Sequence, residues 1–126
     1  NTAPYLRYTY ARARSIGRKV EELGISPSNE KFVVTGEVEE QLVKKLARFP
    51  SIITEAVNRN QPSVVSEFTF ELAELFNAFY QSTKSASIIN DTDSDRRDMR
   101  VRLTQATAQV IKNGLHLLGI EAPERL

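Results

Sequence analysis

Between Pro62 and Thr83 the apolar residues Val65, Phe68, Leu72, Leu75, Phe76 and Phe79 fall mostly three or four positions apart. That spacing gathers them on one side of an α-helix and is incompatible with the two-residue alternation of a strand. Half of the six are phenylalanines, so this helix is expected to be the centre of the core. A helix with one apolar side needs partners, and the rest of the chain supplies them in the same form. Pro4 suits a first turn and Gly24 a helix end, with Tyr5, Tyr8, Ile16, Val20 and Leu23 approximating a stripe between them. A second helix is expected from Thr35 as N-cap, with Glu37, Glu39 and Glu40 set against its positive dipole end and Val38, Leu42, Leu46 and Phe49 as its stripe. Pro50 ends it and begins a short third helix carrying Ile52, Ile53, Ala56 and Val57. The cluster from Asn58 to Pro62 is a turn.

Residues 25–35 and 84–94 read as irregular connections, and Phe32-Val33-Val34 is too short for a sheet. Ser94 or Asp95 is expected to cap a fifth, long helix reaching Leu118, with Met99, Leu103, Ala106, Val110, Ile111, Leu117 and Leu118 inward. Gly114 costs about 1 kcal/mol relative to alanine inside a helix, a cost that close approach of another helix would justify. Gly119 stands where a left-handed cap is wanted, Ile120 can fold back onto the last turn, and Pro123 forbids continuation. The expected architecture is all-α: a five-helix bundle, one domain over residues 1–126, without internal repeats.

Composition excludes more than it selects. Hydrophobic content of 40% and charged content of 26% are those of an ordinary globular protein, and no apolar run approaches the roughly 18–20 residues of a membrane span. The chain is therefore expected to be soluble. Zero cysteines remove disulfides and thiolate chemistry. A start at Asn1, without methionine or a signal-peptide pattern, reads as a fragment of a longer polypeptide. Net charge is only +1, yet the first twenty residues hold Arg7, Arg12, Arg14, Arg18 and Lys19 and no acid. The middle is acidic, and Arg96, Arg97, Arg100 and Arg102 form a second basic run. Such asymmetry permits a one-faced RNA footprint, and equally permits two solvated helix faces.

Ingredients for catalysis are few. The five glycines are scattered singly, so no phosphate-cradling loop is present. Asp91, Asp93 and Asp95 alternate like the opening of a calcium loop, but Arg96 stands where that loop requires glycine, so they read as solubilising and N-capping acids. His116, the one histidine, has no motif linking it to a nucleophile and no metal-binding partners. The expectation is a chain with no catalytic residue, no metal site and no cofactor of its own.

Five segments resemble the class I arginyl-tRNA synthetases, in order along nearly the whole chain. The closing Leu118-Gly119-Ile120-Glu121-Ala122-Pro123-Glu124-Arg125-Leu126 is similar to the family's Leu-Gly-Ile-x-Ala-Pro-Glu-Arg-Met ending. The opening Tyr5-Leu6-Arg7-Tyr8-Thr9-Tyr10-Ala11-Arg12 looks like its Tyr-x-Gln-Tyr-Ala-(His/Tyr)-Ala-Arg segment. Lys44-Lys45-Leu46-Ala47-Arg48-Phe49-Pro50 and Leu72 to Tyr80 match its Lys-Lys-Leu-x-x-Phe-Pro and Leu-Ala-x-x-Phe-Asn-x-Phe-Tyr elements, and Val110 to Leu115 continues the pattern. Departures are Leu126 for the terminal methionine, Arg7 for glutamine, and Gln81-Ser82-Thr83 where Asn-x-Cys is common. The resemblance implies an all-helical anticodon-binding (DALR-type) domain at the C-terminus of a cytoplasmic enzyme that joins arginine to its transfer RNA using ATP and magnesium. It also implies partners: the anticodon loop of the transfer RNA for arginine and the parent's catalytic domain, with neither membrane nor DNA. The alternative is a helical docking module without RNA readout. The related cysteinyl enzyme is disfavoured by the Ala-Pro-Glu-Arg ending.

Splayed anticodon bases are held by stacking on aromatic rings and by hydrogen bonds to their edges. By resemblance Tyr80 is the stacking candidate, its other reading being completion of the core beside Phe76 and Phe79. Leu126, with its α-carboxylate, lies near the same loop by resemblance, or is a frayed end. Tyr10, Arg14, Lys84, Lys112 and Arg125 are candidates for phosphate or base contacts. Tyr5 and Tyr8 are expected to meet the parent's catalytic domain instead, leaving an apolar seam along the first helix.

Overall fold

The computed structural model describes residues 2–28, 30–83 and 88–125. Its helices are α1 (Ala3–Glu22), α2 (Glu37–Ala47), α3 (Phe49–Arg59), α4 (Pro62–Thr83) and α5 (Ser94–Leu117), and no strand occurs among the described residues. Only Arg48 separates α2 from α3, so the two behave as one bent arm. The all-α expectation holds.

α4 packs against each of the other four helices, and its expected line of side chains does the packing. Phe68, Leu72, Phe76 and Phe79 are at most 3% exposed, with Phe76 and Phe79 ring centroids 5.8 Å apart. Tertiary packing of such a face, rather than propensity, is what fixes a helix of this kind.

Helix ends show which local rules operate. α1 and α5 finish alike. Gly24 (φ 69°) and Gly119 (φ 74°) take the left-handed position, and Ile25 and Ile120 return their N–H groups to the carbonyls of Val20 and Leu115 at 3.0 and 2.8 Å. This is the Gly-capped closure expected for the C-terminus, and Ile120 does pack back onto the core. The N-termini correct the sequence reading. α2 is capped by Gly36 rather than Thr35, because the carboxylate of Glu39 folds under it where any Cβ would collide. α5 is capped by Asp93, whose side chain accepts from the N–H groups of Asp95 and Arg96 at 3.1 and 3.2 Å, so neither Ser94 nor Asp95 is the cap.

Two apolar stripes also need correction. In α1 the buried set is Leu6, Thr9, Tyr10, Ala11, Ala13, Ile16, Gly17 and Val20, while Tyr8 and Leu23 are 47% and 56% exposed. In α5 Leu115 is buried and Leu117 is half exposed, with Val101, Thr104, Thr107 and Ala108 added to the interior. The cause is shared. α1 is covered by both α4 and α5, and α5 by α1, α2 and α4, so a single stripe underestimates what each buries. Small and hydroxyl residues fill the extra contact. Thr9, Thr69, Thr104 and Thr107 are buried with each hydroxyl donated to the carbonyl four residues earlier, which removes the penalty of an unpaired polar group.

The second basic run turns inward. Arg100 donates from Nε to buried Glu39 at 3.1 Å, and Arg96 donates from Nε to Asp91 at 2.5 Å. Arg97 pairs with Asp98 at 3.0 Å, and Arg102 donates from Nε to the Ser28 carbonyl at 2.9 Å, tying Ser28 to α5. These arginines hold the fold together. They do not form a free footprint.

Two predictions follow from this packing. A Cβ built at Gly114 would stand 2.5 Å from Oγ1 and 3.1 Å from Cγ2 of buried Thr69 on α4. Gly114→Ala should therefore lower stability in denaturant titrations by about 1–2 kcal/mol despite alanine's better helix propensity, and Thr69→Ala in the same chain should restore part of the loss. A stabilised Gly114→Ala would contradict the close approach. Asp91 is held below the usual aspartate range first by its hydrogen bond from Arg96, opposed by burial. A lowered carboxyl lends stability that is full above the unfolded value of about 3.9 and is lost as pH falls through the folded value. Asp91→Asn should melt earlier than wild type near neutral pH, and the gap should narrow progressively as pH falls below about 3.9; a gap unchanged by acid would refute the linkage.

Candidate nucleic-acid interface

Tyr8, Arg12, Ser15, Lys19 and Leu23 follow one another at steps of three and four along α1, on the side that α4 and α5 leave open. Tyr80 from the last turns of α4, Ile89 and Asn90 from the segment beyond it, and Arg125 from the C-terminal tail line an open groove of about 770 Å³ with them. Arg12, Arg18, Lys19 and Arg125 line it, and no carboxylate does among the described residues. In a chain of net charge +1 this segregation of cations is what an anionic ligand requires.

Arg12 organises the groove. Its guanidinium carbon lies 4.0 Å from the centre of the Tyr80 ring and 5.0 Å from that of Tyr8, within cation–π range of both. Its Nη1 donates to Asn77 Oδ1 and its Nη2 to the Tyr8 hydroxyl, both at 2.8 Å. Asn77 completes the arrangement by donating from Nδ2 to the Tyr5 hydroxyl and to Thr9 Oγ1, both at 2.9 Å. Because arginine can only donate, the orientation of the Asn77 amide is chemically determined. Tyr5 itself lies on Phe70, ring centroids 5.2 Å apart.

A second, smaller groove of about 350 Å³ lies across α1, lined by Tyr10, Arg14, Gln105, Gln109, Lys112 and Glu124 among others. Arg14 Nε donates to Glu124 Oε2 at 2.8 Å, and Arg18 Nη1 donates to the Glu124 carbonyl at 2.8 Å. The hydrogen bond from Arg14 draws the Glu124 carboxyl below its ordinary range, and the same bond raises Arg14 further. Burial pushes the Tyr10 hydroxyl up, with Glu124 adding to the effect.

The sequence candidates thus divide. Tyr80 and Arg125 line the first groove; Tyr10, Arg14 and Lys112 line the second. Lys84 and Leu126 lie outside the described residues. Tyr80 is half-buried rather than at an exposed helix end, and it packs on the core while also lining the groove. Tyr10 is 2% exposed, so its ring is core and only its edge borders a groove. The expected apolar seam along α1 is broken up: Tyr5 is covered by Phe70, and the exposed Tyr8 and Leu23 alternate with cations. Arg12, Arg18 and Asn77 were not among the candidates. The signal for Arg12 was the Tyr8–Arg12 spacing of four, which puts a cation beside an aromatic ring on one helix face.

Comparison with known proteins gives the chain a family. Residues 6–126 match the family described as the DALR anticodon binding domain. The chain is 40% identical over 126 residues to an arginine–tRNA ligase of Clostridium kluyveri, covering 99% of this chain and 22% of that protein. It is 39% identical to an arginine–tRNA ligase of Shewanella baltica, covering 100% of this chain and 21% of the relative. The structure of the Thermus thermophilus arginyl-tRNA synthetase superposes with a TM-score of 0.80 at 27% identity, over 98% of this chain and 21% of that one. The chain spans about a fifth of the length of these relatives. It belongs to the family of DALR anticodon-binding domains, in the form carried by arginine–tRNA ligases.

Proposed function

We propose that this chain is the anticodon-reading part of an arginine–tRNA ligase and that the groove around Arg12 and Tyr80 receives splayed bases of the anticodon loop. The observation that carries the reading is the Arg12 guanidinium carbon held 4.0 Å from the centre of the Tyr80 ring, in a groove whose described lining holds four cations and no acid. Phosphates are attracted by Arg18, Lys19 and Arg125, and bases find the tyrosine and guanidinium planes on which unpaired nucleotides stack. Arginine activation and transfer, with ATP and magnesium, belong in this proposal to a catalytic domain of the parent protein against which this chain docks. The proposal places the enzyme in the cytoplasm. It involves neither membrane nor DNA, and no helix among the described residues is long and apolar enough to cross a membrane.

A second reading, a docking module that does not read RNA, draws on Phe32 and Val33, which are 45% and 50% exposed in the connection before α2. The two readings separate in one titration. Labelled arginine anticodon stem-loop should bind more tightly than a loop with its middle anticodon base changed, and affinity should fall as salt rises. Tyr80→Ala should weaken binding roughly five- to hundredfold, the range for loss of one base–aromatic stack. Arg12→Lys should also weaken it, since a lysine ammonium cannot reproduce the planar stack or the twin hydrogen bonds to Asn77 and Tyr8. Arg96→Gln should change affinity by less than about twofold, because that cation is already paired with Asp91. Equal weak binding to both loops would favour docking.

A further inference from the structure

Glu124 is out of place in a surface meant for nucleic acid. Its side chain is 57% exposed and it stands between the two grooves, next to Arg125 in one and lining the other with Arg14 and Lys112. By charge alone a carboxylate there repels phosphate and masks Arg14.

Its bonds assign it a different task. The tail leaves α5 through Gly119, and Ile120 and Ala122 pack on the core. Pro123 then restricts the backbone, and the next residue is tied to α1 twice over. Its carboxylate accepts from Arg14 Nε at 2.8 Å, with Arg18 Nη1 3.8 Å away, and its carbonyl accepts from Arg18 Nη1 at 2.8 Å. Arg14 and Arg18 are one helical turn apart, so the pair forms a two-pronged clasp facing the tail. Arg125, the next residue, lines the same groove as Arg12 and Tyr80.

We propose that Glu124 is a positioning residue, a latch that fastens the C-terminal tail to α1 so that Arg125 closes the groove, and that this acid strengthens RNA binding instead of opposing it. The binding half of the proposal rests on the function proposed above; the latch itself does not. A mobile tail would have to be ordered at the moment of binding, and the latch removes that entropic cost beforehand. Simple electrostatics and the latch therefore predict opposite signs for the same substitution.

Glu121, an exposed acid in the same tail that makes no hydrogen bond or ion pair among the described residues, is the charge-matched control. In the 126-residue chain, Glu124→Ala should weaken binding of labelled arginine anticodon stem-loop about three- to fivefold, the factor equivalent to one exposed charge pair. Glu121→Ala should leave binding unchanged or tighter. Thermal melts establish that both variants fold. Tighter or equal binding by Glu124→Ala, or equal weakening by both variants, overturns the proposal. Tail order is read without RNA, from the heteronuclear NOE of the Arg125 amide. It should fall in Glu124→Ala and not in Glu121→Ala, and an unchanged value overturns the latch. Wild-type chain that fails to bind the stem-loop defeats the RNA reading alone, because the NOE comparison still decides the latch.

Discussion

The Asn77 amide joins α4 to α1, and the rest of the groove depends on that junction. Both amide protons and the carbonyl are engaged, with Tyr5, Thr9 and Arg12 respectively, so the register of the two helices and the direction of the guanidinium are set together. Asn77 and the Tyr8 hydroxyl hold the two Nη nitrogens of Arg12, with its guanidinium carbon 4.0 Å from the centre of the Tyr80 ring. A long, flexible cation ordinarily loses much rotamer freedom when it meets a ligand; here most of that loss has occurred on folding. The same junction keeps Tyr80 half-buried, so one ring serves the core and the groove at once.

Two basic runs of similar appearance have opposite fates. The run on α5 is neutralised within the protein, Arg100 by Glu39 sixty-one residues away and Arg96 by Asp91. The run on α1 is shared between the grooves, where Arg18 and Lys19 join Arg12 and Arg125 with no acid among the described residues of the first groove's lining. Arg100, largely buried on α5, would be costly without Glu39, whereas Arg7 and Lys19 on α1 are exposed to solvent and need no such partner. The near-zero net charge conceals this division because internal pairs cancel in the sum and open grooves do not.

Legibility in the sequence followed the same physics. α4 could be read almost residue by residue, because an aromatic helix surrounded by partners displays its periodicity undiluted. The Gly119 closure was legible too, since a positive φ followed by proline has few other uses. The buried faces of α1 and α5 were not, as helices covered on two or three sides admit alanine, glycine and threonine that no hydrophobic stripe reveals. The caps at Gly36 and Asp93 depended on where Glu39 and the 91–93 loop settle, which is decided by Arg100 and Arg96 across the fold. At the site, resemblance pointed to Tyr80 and Arg125. Arg12 and Asn77 escaped because their partners lie on another helix, 65 residues apart in the chain.

The account comes down to where nucleic acid touches this molecule. Amide chemical-shift mapping during titration with an arginine anticodon stem-loop addresses that directly, residue by residue. The account predicts that the largest changes cluster on Tyr8, Arg12, Ser15, Arg18, Tyr80, Ile89, Asn90 and Arg125. Changes centred instead on the α5 arginines or on Phe32 and Val33, with the groove silent, would contradict it.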